Sequence, residues 1–379
     1  MVSCCADMEC NLLNKEHSSR FNNFYNTYYG THRTFDQWKW EFLTPSRDFG
    51  PPFPFAAVVD GEKIVGTQAL IPLRMIDRKG IFWTAKSEET LIDPSYRGQN
   101  LLARMYETLF DYARENNFLG VWGFTPARKA FDKLGFTLPA QTRQLFMPFY
   151  SRYIPVVLEK PKLWPLGLIA LASSRMVGFL GAFPWLLSNK TFRNKKIEVC
   201  ISIQPPADAG NLCERFVKTW GGVTLYRDAK YLSWRFYQNP YLRPICLEVF
   251  QKGILTAFLA FSMTPDRMGY LVDITAAPAE EGFSLKEACH DVRPLVSAML
   301  REAVRRLRNM GALGVRTWSV NNHPFDTLVR HELIRQGFWF VPRGFDIIFQ
   351  IVPGTPERQG FNIVDHWYIT RAFTQGTTG

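Results

Sequence analysis

The chain of 379 residues is 46% hydrophobic and 15% aromatic, enough for two or three packed domains and enough to exclude an intrinsically disordered protein. Its net charge of +11 and pI near 9.3 point to anionic company such as CoA phosphates, a phospholipid surface or nucleic acid. Cys4, Cys5, Cys10, Cys200, Cys213, Cys246 and Cys289 are scattered, without C-x-x-C pairs or neighbouring histidines, which excludes a zinc-finger pattern and fits reduced thiols in a cytosol. Residues 1–7 lack the basic and apolar layout of a secretory signal.

In chain order, the pattern predicts a helix up to Tyr29 and a short one opening at Thr34, where Thr34-Phe-Asp-Gln37 has the layout of a capping box. The aromatics Trp38, Trp40 and Phe42 follow. Alternation then predicts a meander. Phe55-Ala-Ala-Val-Val-Asp-Gly-Glu-Lys-Ile-Val-Gly66 reads as strand, Asp-Gly turn and strand, running on through Leu73 and over Arg78-Lys-Gly80 to Ile81. The meander feeds a strand that leaves into Asp93-Pro-Ser-Tyr-Arg-Gly-Gln-Asn-Leu-Leu-Ala103, a turn on an Arg-Gly pair that opens a helix over 100–116. Such a turn aims several backbone N–H groups at one point on the positive end of the helix dipole, so it reads as a phosphate cradle. It has neither the Gly-Lys-Ser/Thr ending of a P-loop nor the G-x-G-x-x-G of a dinucleotide fold. An apolar run over 118–124 and Ala127-Arg-Lys-Ala-Phe-Asp-Lys-Leu-Gly-Phe136 complete the order strand, loop, helix, strand, helix, strand.

Arg97-Gly98-Gln99-Asn100-Leu101-Leu102 resembles the acyl-CoA pyrophosphate loop of the GNAT superfamily of N-acyltransferases, R/Q-x-x-G-x-G/A after a strand, with Asn100 and Leu102 where the family has small residues. The 127–136 segment is similar to the same superfamily's A-x-x-F-Y-x-K-x-G-F helix and turn. The resemblance implies acetyl-CoA or another acyl-CoA as cosubstrate. Backbone N–H groups near Leu91 and Ile92 would hold the thioester carbonyl, and those of Arg97, Gly98, Gln99, Asn100, Leu101 and Leu102 the pyrophosphate. Glu88 and Glu89 stand where related enzymes place a base for the amine proton. Adjacent strand residues face opposite ways, so only one of them looks into a cleft, and Glu88 is favoured. Phe131 occupies the place of the family's proton-donating Tyr, which leaves the thiolate to Tyr96 or to solvent. A thiol pKa of about 8.5 makes that leaving group tolerable.

The second half repeats the plan. A hairpin over 247–263 with its turn at Lys252-Gly253, a strand over 270–275, a long helix over 294–310, a strand over 314–320, a helix over 325–334 and a closing strand over 337–340 follow in the same order. Where the cradle would stand, Ala276-Ala-Pro-Ala-Glu-Glu-Gly282 places two carboxylates that repel a diphosphate. Just before the second hairpin, Trp234, Phe236 and Tyr237 read as core aromatics, and Arg235 and Asn239 as ties for a turn. This stretch resembles one seen in tandem GNAT-like bacterial proteins encoded near cell-envelope functions.

Between the copies, residues 163–187 carry one charge, Arg175, with basic residues on both sides up to Lys196. Packing across the domains, lying on an anionic membrane through 163–196, and spanning a bilayer are all open. Arg175 at the centre of a span costs about 2.5–3.5 kcal/mol on insertion scales. The six histidines form no metal-binding pattern, so no metal is expected, and no nucleic-acid motif accompanies the basic face at Arg301, Arg305, Arg306 and Arg308.

The reading that results is an α/β (α+β) protein of two tandem GNAT-like domains, each a mixed, mainly antiparallel sheet flanked by helices. An acyl-CoA-binding domain is expected over 1–155, a hydrophobic linker over 156–198, a degenerate second copy over 199–353 and a tail over 354–379. The expected activity is N-acyl transfer, most simply acetyl transfer, to a small-molecule or lipid-linked amine such as an amino sugar or cell-envelope precursor, in the cytoplasm or peripherally on the inner face of the membrane. The alternative is a non-catalytic scaffold at a membrane.

Overall fold

A computed structural model describes residues 8–12, 18–45, 54–154, 157, 159–187, 198–320, 322–341, 344–356, 358 and 360–374. The chain forms two compact units, and each draws on both halves of the sequence. Met1–Met75, Ile81–Pro139 and Phe345–Asn362 make the first, and Ile76–Gly80, Ala140–Gly344 and Ile363–Gly379 the second.

In the first unit the strands Met8–Leu12, Phe55–Asp60, Lys63–Asp77, Gly80–Ile92, Gly120–Thr125, Asp346–Ile351 and Thr137–Gln141 lie side by side in that order. The hairpin turns where Asp60 faces Lys63, with Gly61 at φ +57°. The capping box forms as expected: Thr34 Oγ1 accepts the Gln37 N–H at 3.2 Å and Gln37 Oε1 accepts the Thr34 N–H at 2.7 Å. The helix Leu101–Glu115 buries Leu101, Met105, Tyr106, Leu109 and Ala113, the stripe that a 3.6-residue period puts on one face. That stripe packs with Ala56, Val58, Val65, Val121 and Phe131. Each large side chain so buried contributes about 1.5–3 kcal/mol.

The second unit orders its strands Trp339–Val341, Arg143–Pro148, Gly314–Ser319, Met268–Ala276, Ile254–Met263, Ile245–Gln251 and Val199–Ser202. The two sheets therefore exchange strands. Arg143–Pro148, from the first half of the sequence, pairs antiparallel with Gly314–Ser319, and Asp346–Ile351, from the second half, pairs antiparallel with Gly120–Thr125. The compact units consequently cut across the contiguous boundaries at 155 and 199 read from the sequence. The long helix begins earlier than its apolar pattern suggests, at Leu285, because Ser284 and Glu287 form a second capping box. The aromatic stretches also repeat: Lys39–Leu43 and Ser233–Tyr237 are each a single π-helical turn ahead of a hairpin. Trp234 and Phe236 are buried, Arg235 donates to the carbonyls of Ala372 and Thr374, and Asn239 Oδ1 accepts the N–H groups of Tyr241 and Leu242.

Residues 368–373 form part of the second unit's interior. Its strands Met268–Ala276 and Gly314–Ser319 pair in parallel only from Met268↔Gly314 to Tyr270↔Arg316. Past that point Tyr368 donates its hydroxyl to the Ile274 carbonyl at 2.7 Å and Thr370 to Asp273 at 2.7 Å. The Arg371 guanidinium stands 4.4 Å from the Tyr270 ring centre and 4.9 Å from that of Trp318, one residue from each strand. The space left there is about 20 Å³, room for a single water.

His323 caps the helix Pro324–Arg335. Its Nδ1 accepts the Phe325 N–H at 3.2 Å and its Nε2 lies 3.2 Å from the Gly221 carbonyl, which places the proton of a neutral ring on Nε2. Burial pushes its pKa down to about 4. The unfolded ring titrates near 6.5, so as pH falls the unfolded chain takes up the proton first, and stability is lost between about pH 6.5 and 4, by roughly 3 kcal/mol in all. Burial pushes the neighbouring Asp326 up to about 6, which acts with the opposite sign over part of that window. His323→Asn keeps a capping acceptor and lacks the titration. Urea unfolding of the two proteins is expected to bring them closer by roughly 3 kcal/mol from about pH 7.5 to 4; parallel curves would rule the histidine out as the source.

In the helix Trp164–Leu187, Pro165 falls in the first turn, where a missing N–H costs nothing. It is long and apolar enough to cross a bilayer, and only 11% of its most apolar window is buried. Its inward face is made of small residues. A Cβ on Gly167 would meet Val157 Cγ2 at 2.7 Å and one on Gly178 would meet the Gln336 carbonyl at 3.0 Å, while Ser174 Oγ donates to the Gly337 carbonyl at 2.6 Å. Its other face exposes Trp164, Leu166, Ile169, Met176, Phe179 and Leu180. The basic flank from Lys190 to Lys196 lies outside the described residues.

Candidate active site

In the first unit the strands Gly80–Ile92 and Gly120–Thr125 run parallel and pair through Ala85↔Val121 and Lys86↔Trp122. Among the described residues the ladder goes no further, so residues 87–92 leave an open edge on that side. Just past the last pair the strand bulges, with Glu89 at φ +55°, a conformation few side chains adopt without support.

The support is a buried polar cluster. Arg33 donates to Glu89 through both terminal nitrogens, at 2.7 and 3.0 Å, and to Glu41 at 2.9 Å. Its Nε donates to Asn22 at 2.8 Å, and the guanidinium stacks 3.9 Å from the Tyr25 ring centre. One cation serves two carboxylates, and burial pushes the Glu89 carboxyl up while Arg33 pulls it back. From the neighbouring strand, Gln68 Nε2 donates to the Glu88 carbonyl at 2.9 Å and Thr67 to the Glu89 carbonyl at 3.4 Å. Thr90 donates to Gln68 Oε1 at 2.5 Å, and the buried Tyr106 hydroxyl lies 2.6 Å from Ser87 Oγ. Glu88, half-buried, contacts the Lys86 ammonium. The two glutamates thus part company: Glu89 is buried and doubly held, and Glu88 reaches the solvent side. Leu91 is buried and Ile92 half-buried, directly beyond the bulge.

The strand leads into a turn that is anchored at several points. Asp93 accepts from Lys63 at 2.7 Å and from the Ser95 N–H at 3.0 Å, and these bonds hold its pKa down to about 2. Tyr96 donates its hydroxyl to Asp60 at 2.6 Å, which commits it to the turn. Gly98 at φ +83° and Asn100 at φ +59° then bend the chain into the helix Leu101–Glu115. Among the described residues the N–H groups of Gly98, Gln99, Asn100, Leu101 and Leu102 have no protein acceptor, and no side chain caps the helix. Arg97, Gly98, Gln99 and Asn100 are exposed, and Arg97 donates to the Tyr28 hydroxyl at 2.5 Å. Leu101 is buried, and Leu102 packs against the core. An exposed row of unpaired N–H groups at a helix N-terminus beside an arginine is chemically an anion site.

The corresponding place in the second unit is filled. Ser284 and Glu287 cap the helix there, and Glu280 and Glu281 pair with Lys252 and Lys218 at 2.9 and 2.8 Å. Phe131 is buried, edge-on to Tyr106 and Phe136, as a core residue. Sequence reasoning missed Arg33, Thr67, Gln68 and Tyr106. The Thr67-Gln68 pair was a visible signal, two polar residues inside an otherwise apolar strand, whereas nothing local marks Arg33.

The acetyltransferase (GNAT) family profile matches residues 15–136, which contain the whole of this cluster and the turn. No curated protein sequence matches the chain. Among solved structures, a GCN5-related N-acetyltransferase from Anabaena variabilis is 12% identical, with 91% of this chain and 73% of that one covered at a TM-score of 0.58. N-myristoyltransferase of Saccharomyces cerevisiae with bound myristoyl-CoA is 12% identical over 91% of this chain and 82% of its own, at 0.56. A probable N-acyltransferase from Enterococcus faecalis is 7% identical over 92% and 73%, also at 0.56. At such identities the likeness is one of fold, and it extends over both sheets. Residues 15–136 thus match the acetyltransferase (GNAT) family, and the solved structures share its fold over the rest of the chain.

Proposed function

We propose that the protein transfers an acyl group from acyl-CoA to an amine, with the first unit holding the cosubstrate. The observation that carries the reading is the contrast between two equivalent helix starts, one with open N–H groups and Arg97, the other capped by its own side chains. The diphosphate sits on the N–H groups of Gly98, Gln99, Asn100, Leu101 and Leu102, with Arg97 beside it. The thioester lies along the open edge past Lys86, its carbonyl held by backbone N–H groups near Leu91 and Ile92. The neutral amine attacks that carbonyl, the C–N bond forms as the C–S bond breaks, and the amine's proton passes to Glu88, directly or through water. Glu89 holds the bulge through Arg33 and takes no part in proton transfer. The CoA thiolate leaves and is protonated by solvent, since Phe131 has no proton to give and Tyr96 is bonded to Asp60.

The acceptor is an amino sugar or a lipid-linked cell-envelope precursor, met on the cytoplasmic face of a membrane on which the helix Trp164–Leu187 lies. A free-thiol assay with acetyl-CoA and longer acyl-CoAs against a panel of amino sugars tests this. Amine-dependent CoA release that falls at least about tenfold in Glu88→Gln, with little change in the acyl-CoA KM, is expected. Absence of any acyl-CoA binding at millimolar concentration would sink the enzyme and leave a scaffold at the membrane.

A further inference from the structure

In the second unit, the helices Trp164–Leu187, Leu285–Asn309 and Pro324–Arg335 line an open cavity of about 350 Å³. Its wall carries five arginines, Arg175, Arg301, Arg305, Arg308 and Arg335, against a single glutamate, Glu332. That glutamate is already shared between Arg335 at 3.4 Å and Arg293 at 3.6 Å. Arg301, Arg305 and Arg308 stand one turn apart on one helix face, and of these Arg305 is paired with Glu302 at 2.6 Å. Burial lowers the Arg301 pKa, an environment that a bound anion would relieve. Among the described residues Arg175 and Arg308 have no carboxylate partner. Both rest on Phe149 instead, Arg175 on its carbonyl at 3.5 Å and Arg308 over its ring at 4.6 Å. Gln336 Nε2 on the same wall is buried without a hydrogen-bond partner.

What adjoins the cavity indicates the occupant. Arg175 and Gly178 line it, and between and beyond them on the same helix Met176, Phe179 and Leu180 are 60%, 65% and 58% exposed. A fixed cluster of guanidinium groups next to an outward apolar face matches an amphiphile with an anionic head, and neither a free anion nor nucleic acid accounts for the apolar half. We propose that this cavity receives the phosphate of an anionic phospholipid, with the acyl chains along Met176, Phe179 and Leu180. The inference rests on the membrane-surface reading above and adds to it a specific headgroup pocket, which orients the protein on the bilayer by charge as well as by apolar contact.

The test uses the full chain in vesicle co-sedimentation. The probes are vesicles of phosphatidylcholine alone and of phosphatidylcholine mixed with phosphatidylglycerol, with inorganic phosphate and soluble glycerophosphoglycerol in parallel titrations. Arg175→Gln/Arg308→Gln is compared with Lys230→Gln/Arg243→Gln, which removes the same charge from exposed positions elsewhere in the same unit. All four positions are exposed, and circular dichroism confirms folding. The expected result is tight binding to the phosphatidylglycerol vesicles that drops by about tenfold or more in the cavity variant and by less than about twofold in the control. Equal losses in the two variants, or none in the cavity variant, would overturn the pocket and leave membrane binding standing. Failure of the wild-type protein to bind any vesicle would overturn the membrane reading and the lipid with it. Tight binding of inorganic phosphate without vesicle binding would make the cavity a site for a free anion.

Discussion

Arg97→Glu is expected to weaken acyl-CoA binding by about a hundredfold or more, with little change in folding stability. The substitution removes a charge-assisted donor worth about 1.5–3 kcal/mol and adds a carboxylate beside the row of N–H groups to which the diphosphate is assigned in the proposed function. A loss near 3 kcal/mol is about a hundredfold in Kd. Arg97 is exposed and, among the described residues, its side chain donates to the Tyr28 hydroxyl, so the melting temperature is expected to stay close to wild type. Calorimetric titration of the two proteins with acetyl-CoA and a long-chain acyl-CoA reads the difference. Equal affinities would show that the diphosphate does not sit on this turn.

The second large effect concerns stability. Arg33→Ala strands two buried carboxylates, Glu41 and Glu89, whose side chains are each only 1% exposed. Removing one partner from a buried ionic cluster costs about 3–5 kcal/mol, because the remaining charges lose their compensation and keep their burial. Urea unfolding of Arg33→Ala should show that loss, and the double variant Arg33→Met/Glu89→Gln should recover part of it. The same change releases the bulge at Glu89, so acyl transfer in the folded fraction should fall as well. A stability loss below about 1 kcal/mol would mean that the cluster is hydrated or rearranges freely.

What was legible in the sequence was local. The turn at Arg97-Gly98 followed by a helix-period stripe marked the start of the helix Leu101–Glu115. Thr34 and Gln37 announced a helix start, and Gly61 and Lys252-Gly253 announced hairpins. Asn100 in the left-handed region is where a short polar side chain is tolerated, so its departure from the family's small residue leaves the turn intact. What escaped was non-local. Arg33 and Glu89 are 56 residues apart, and nothing in either neighbourhood specifies the other. The exchange of Arg143–Pro148 and Asp346–Ile351 between sheets is equally silent, because an alternating apolar strand carries no label for which edge it joins. In the helix Trp164–Leu187, Gly167 and Gly178 serve close packing within the second unit, which no local pattern announces.

The strand exchange also sets a clock on synthesis. Gly120–Thr125 leaves the ribosome long before Asp346–Ile351, the strand that pairs with it, has been made. At about 5–20 residues per second the nascent first sheet carries that edge uncovered for roughly ten to forty seconds. An apolar edge left open so long is a template for wrong pairing, a hazard that lasts until the last strand is made.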